Sequence, residues 1–203
     1  MSILKDTGIM IGSCKNDKTR KEHENEASNL WNKLVSNGSY ISTHLVLDKS
    51  YDLYREALNC YGTCAYMATA VVCRSTLEAA LYKFVTASDL KWRDGENGKE
   101  IYTYRYSECA TYLSDYNNAL SELGKHYPDL FKKVNKDLQK VRERGNFVAH
   151  YLSASERKLV RATKSSSSVV ELWIDKDGAF SVLEKTGSIL MIFAKELEKS
   201  CPY

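Results

Sequence analysis

Tyr61 to Tyr82 reads YGTCAYMATAVVCRSTLEAALY, and only Arg74 and Glu78 carry a full charge in it. Nearly every other position is apolar or small, so a helix built from this stretch has almost no side suited to water. A surface helix keeps one polar face, and one that is apolar nearly all round belongs in the middle of a bundle. Arg74 and Glu78 stand four residues apart, on one face of that helix, where they can pair. Burying either charge alone is costly, so each is expected to satisfy the other or a partner, as a structural ion pair or as support for a site.

Working outward, the helical pattern runs from Tyr51 to about Ala87, with Ser50 as its expected cap and a break at Gly62. Upstream, ISTHLVLD (Ile41 to Asp48) reads as an extended connector. Glu22 to Val35 reads as a short helix, with Leu30, Trp31, Leu34 and Val35 on one side and Gly38 as its stop. The residues before it are polar, with Gly8 and Gly12, and are expected to form a loose arm or a short hairpin.

Downstream, Lys91 to Lys99 with DGENG is a surface loop. Tyr102 to Leu123 reads as a helix carrying Tyr102, Tyr104, Tyr106, Tyr112 and Tyr116, with Arg105 among them. Such aromatics can stack on bases, although on a bundle helix they more often fill core or interface. Pro128 suits the start of a helix in which Val134, Leu138, Val141, Gly145, Val148 and Leu152 recur at steps of four and three. RATKSSSSVVELW reads as a connector or a short strand. Asp175 or Asp177 then caps a last helix with Ala179, Val182, Leu183, Thr186, Ile189, Leu190, Phe193 and Leu197 along one side. The expectation is all-α: an up-and-down bundle of four to five helices over 50–203, with 1–49 as an N-terminal arm and short helix packed on it.

The 203 residues carry a net charge of +3, too weak by itself to argue for nucleic acid. The most apolar run, Ala65 to Cys73, is far shorter than the ~20 residues of a membrane span, and no secretory leader is visible. A cytoplasmic chain without a membrane anchor is expected, with its six cysteines reduced. Cys60 and Cys64 lie one helical turn apart but lack companions at zinc spacing, so no metal is expected. Without a Gly-rich phosphate loop, a nucleophile elbow or a paired-carboxylate pattern, no cofactor is expected either.

The stretch that carries chemistry is VRERGNFVAH, Val141 to His150. At about 100° per residue, Arg142, Asn146 and His150 fall on one flank of the apolar stripe and Arg144 on the other. Arg142 and His150 are two turns apart, roughly 12 Å along the axis, so long side chains can converge on one phosphate. A Gly-Asn pair weakens a helix, and a bend there would undo that ridge.

The pattern formed by Arg142, Gly145, Asn146, Ala149 and His150 resembles one version of the HEPN signature, an Arg followed within a handful of residues by a His. CRSTLEAALYKFV, Cys73 to Val85, resembles the Arg-x-x-Leu-Glu helix that precedes the motif in a bacterial and archaeal HEPN-like family of uncharacterised function. Together they cover about half of the chain, from Tyr51 to Ser153. The resemblance implies a helical bundle that dimerises around a cleft, and in active members a metal-independent endoribonuclease, often a toxin or defence effector. It implies His150 as general acid or base, Arg142 or Arg144 as phosphate holder and Asn146 as orienting group, with RNA and an antitoxin or other protein as partners. The usual HEPN spacing favours Arg144, whereas the Gly-Asn version and the helical wheel favour Arg142. Many HEPN-like domains are non-catalytic scaffolds or nucleotide-binding partners, so a dimerisation module is the alternative expectation.

Overall fold

The helix expected at the centre is at the centre. In the computed structural model, which describes residues 17–92, 116–153 and 174–200, α3 (Tyr66–Trp92) packs against α2 (Gly38–Gly62), α4 (Tyr116–His126), α5 (Pro128–Ser153) and α6 (Lys176–Ser200). α1 (Asp17–Val35) lies outside, along α2. The described residues form an all-α helical bundle. Ala70, Cys73, Leu77, Ala80, Leu81, Phe84 and Val85 of α3 are all buried, as a central helix requires. Phe84 stacks on Phe193 of α6 at 4.8 Å and meets Tyr127 edge-on at 5.2 Å, joining three parts of the chain in one core.

The apolar stripes read from the sequence are the buried faces. On α5, Val134, Leu138, Val141, Gly145 and Val148 are buried, while Leu152 lies outside the described side chains. On α6 every residue of the expected stripe, from Ala179 to Leu197, is buried. Asp175 caps α6, its carboxylate accepting from Gly178 N–H at 2.8 Å, so the choice between Asp175 and Asp177 falls to the former.

The N-terminal third departs from expectation. α1 begins at Asp17, five residues before the expected start. ISTHLVLD is not a connector but part of α2, which runs unbroken through Ser50 and thus across the expected 49/50 boundary. Burial of Thr43, Leu47 and Tyr51 outweighs the weak helix propensity of its β-branched residues. Ser50 is buried in mid-helix and caps nothing. The actual cap is Asn37, whose side chain accepts from Ser39 N–H, and Gly38 starts α2 rather than merely ending α1.

α1 is tied to the bundle by a buried polar contact. His23 Nδ1 donates to the Thr19 carbonyl at 2.6 Å, and Nε2 hydrogen-bonds with the Tyr66 hydroxyl at 2.8 Å. Beside it, Tyr61 donates to Glu26, which also pairs with Lys176 of α6 at 3.2 Å. Burial pushes the Glu26 carboxyl up, but the bonds from Tyr61 and Lys176 outweigh it and hold the carboxyl below its usual range.

The break expected at Gly62 is a turn over Thr63 to Ala65. Cys64 N–H donates to Tyr61 O at 2.9 Å and Ala65 N–H to Cys60 O at 2.8 Å, the double bond pattern of a Schellman cap. Its left-handed position, usually glycine, is taken by Cys64 at φ 61°. Cys64 is disulfide-bonded while Cys60 and Cys73 are free, so the expectation of reduced thiols fails at Cys64. Its partner lies outside the described residues. Spacing along the chain counts cysteines but does not show which ones the fold brings together. The arm over 1–16, the DGENG loop, residues 102–115 of the expected tyrosine-rich helix and RATKSSSSVVELW also lie outside the described residues. No described helix is long and apolar enough to cross a membrane.

Candidate functional site

α5 is continuous through Gly145 and Asn146, so Arg142, Asn146 and His150 keep their four-residue steps along one helix. What allows α5 to lie this close to α3 is Gly145. A Cβ there would stand 2.5 Å from Arg74 Cβ and 2.9 Å from the Ala70 carbonyl oxygen, so only glycine fits without moving backbone. The glycine that weakens the helix therefore makes the seam. It also brings together Cys73–Val85, which carries Arg74, and Val141–His150.

Arg74 Nε donates to Glu78 Oε1 at 2.9 Å, with the two side chains 29% and 31% exposed. The expected pairing is thus present, at the border between core and solvent. Around it the two flanks of α5 diverge. Arg144 reaches α6 and donates to the Gly178 carbonyl at 3.0 Å, a half-buried tie between helices. Arg142 lies on the other flank, against α4, with its guanidinium carbon 4.2 Å from the centroid of the Tyr116 ring. The helical wheel separates the two arginines in the same way.

Arg142 Nε is buried without a hydrogen-bond partner among the described residues, and so is the Tyr116 hydroxyl. Burial pushes the Tyr116 phenol up to about 12, Arg142 opposing this and Glu78 adding to it. The group therefore stays a neutral hydroxyl across the physiological range. Tyr116 is the one residue at this site that sequence reasoning placed elsewhere. It stood among the tyrosines of a helix read as core or interface, and no local pattern links it to Arg142.

Asn146 is half-buried on the Arg142 flank. The expected orientation of the His150 side chain lies outside the described residues. Among the described residues, no group of three or more His, Cys, Asp or Glu side chains is placed to hold a metal ion. What the arrangement can do chemically is present guanidinium and hydroxyl donors to an anion beside a neutralised ion pair. No family model, curated protein or solved structure matches the chain.

Proposed function

We propose that this chain is a metal-independent endoribonuclease of the HEPN type that acts as a homodimer, with Arg142, Asn146 and His150 on its working face. The observation that carries this reading is the division of labour between the two arginines. Arg144 is committed to the Gly178 carbonyl, whereas Arg142 sits over the Tyr116 ring without a carboxylate partner among the described residues. A guanidinium that is positioned yet unneutralised is what a phosphate-holding arginine must be.

In this reading the ribose 2′-hydroxyl attacks the adjacent phosphate, forming a cyclic phosphate and releasing a 5′-hydroxyl. One proton leaves the attacking oxygen and one reaches the leaving oxygen. His150 exchanges protons with the reacting oxygens, contributing on the order of 10²–10⁴-fold. Arg142 stabilises the extra negative charge, again on the order of 10²–10³-fold. Arg74 keeps Glu78 neutralised so that its carboxylate does not repel the substrate. A toxin or defence role, with an antitoxin or other protein partner, and a cytoplasmic location belong to the same proposal.

Incubating the purified chain with structured RNA in excess EDTA tests it. Cleavage is expected, with loss on His150→Ala and on Arg142→Ala but not on Arg144→Lys. Absence of cleavage, or cleavage that survives His150→Ala, ends this reading. A second reading, a non-catalytic dimerisation or nucleotide-binding scaffold, draws on Tyr116 covering Arg142 as packing does. It expects a stable dimer whose assembly depends on Arg142 and His150, with no turnover.

A further inference from the structure

Two buried polar atoms without partners among the described residues, Tyr116 Oη and Arg142 Nε, belong to side chains in direct contact. Leaving a buried donor unbonded is unfavourable, and native folds rarely keep two side by side. We propose that Tyr116 and Arg142 form one anion cup, in which the Tyr116 hydroxyl and the Arg142 guanidinium donate to the oxygens of a single phosphate group. It rests on the nuclease reading, in which that group is the phosphodiester being cleaved, and it adds Tyr116 as a substrate-binding residue.

The chemistry selects the ligand. A guanidinium only donates, and a phenol that stays protonated is free to donate, so the missing partner is an acceptor with several oxygens. The guanidinium carbon lies over the face of the Tyr116 ring, and its N–H groups are the donors for paired bonds to a phosphate. Charge agrees. Arg74 pairs with Glu78, and no described carboxylate pairs with Arg142, whose positive charge is therefore uncompensated among the described residues.

The side chain of Tyr116, like that of Arg142, is only half-buried. The covered atoms, the tip of Tyr116 and the inner nitrogen of the Arg142 guanidinium, belong to side chains that are otherwise half-buried. To reach both, a ligand shifts the Tyr116 ring, a half-buried group packed against the core.

The test observes Arg142 directly, through its Nε–H resonance in a nitrogen-labelled sample, assigned by its loss in Arg142→Lys. Inorganic phosphate and a short single-stranded RNA are titrated separately into His150→Ala, which binds without turnover. Both are expected to shift that resonance, the RNA at lower concentration. Tyr116→Phe, which keeps the ring and its stacking, is expected to weaken both by about tenfold, the loss of one hydrogen bond to a charged group. Glu78→Gln is expected to tighten both by about threefold through removal of a nearby negative charge.

An Arg142 resonance unmoved by either ligand, or Tyr116→Phe binding like its parent, overturns the cup even if wild-type protein cleaves RNA. A Tyr116-dependent phosphate shift in a chain that neither cleaves nor binds RNA upholds the cup as a free-phosphate site while the nuclease reading falls.

Discussion

Two seams in this bundle use the same device for opposite ends. Where α2 meets α6, Gly187 makes room for Tyr54, whose hydroxyl would lie 2.5 Å from an added Cβ. That hydroxyl donates to the Leu183 carbonyl at 3.2 Å, so the polar group set against this glycine is buried and satisfied. Where α3 meets α5, Gly145 makes room for the stem of Arg74, and the space beyond it holds Glu78, Tyr116 and Arg142. There the polar atoms are not all satisfied. A glycine lets two helices approach in either case; what stands opposite it decides whether the polar groups there find partners.

The largest effect that tests this contrast is expected at Gly145. The atoms opposing a new Cβ are the Ala70 carbonyl and Arg74 Cβ, neither at the far end of a flexible chain. Gly145→Ala should therefore lower stability by about 3 kcal/mol in urea unfolding, despite the helix-propensity gain of about 1 kcal/mol. Arg74→Ala should not rescue it, since alanine keeps the clashing Cβ. Gly187→Ala is expected to cost less, about 1–2 kcal/mol, because the opposing atoms are the end of the Tyr54 side chain. Adding Tyr54→Phe removes the nearest of them and should restore much of that loss. Equal costs at the two glycines, or rescue at both, would break the distinction between the seams.

The smallest effect lies in alkaline titration. The Tyr116 phenol is raised to about 12 and that of Tyr54, deeper among apolar neighbours, is raised as well. Because the folded pKa exceeds the unfolded value of 10.0, the folded state holds these protons longer. Their contribution to stability is complete below pH 10 and is lost as pH rises through about 12 for Tyr116. Tyrosinate absorbance should show Tyr116 ionising before Tyr54, identified by Tyr116→Phe and Tyr54→Phe. The reverse order would mean that the α3–α5 seam is the better sealed of the two.

Much of the fold was legible. A helix apolar nearly all round could only be central, and the stripes on α5 and α6 are repeats set within one helix by its own geometry. The misreadings fell where tertiary burial overrides local preference, as in ISTHLVLD and Ser50, which α2 absorbs. At the site, the Arg74–Glu78 pair and the opposite flanks of Arg142 and Arg144 followed from four-residue spacing and the helical wheel. The Arg144 bond to Gly178 and the Tyr116 ring on Arg142 did not, because their partners lie on other helices.

The sequence by itself determined which residues share a helix and which face of that helix is apolar, since both follow from a rise and a rotation that every residue obeys. Only the tertiary structure decided what each face meets: that Cys64 forms a disulfide, that Gly145 admits Arg74, and that Arg142 rests on Tyr116. Those pairings join positions far apart in the chain, and packing of whole helices, rather than any local spacing, sets which of them touch.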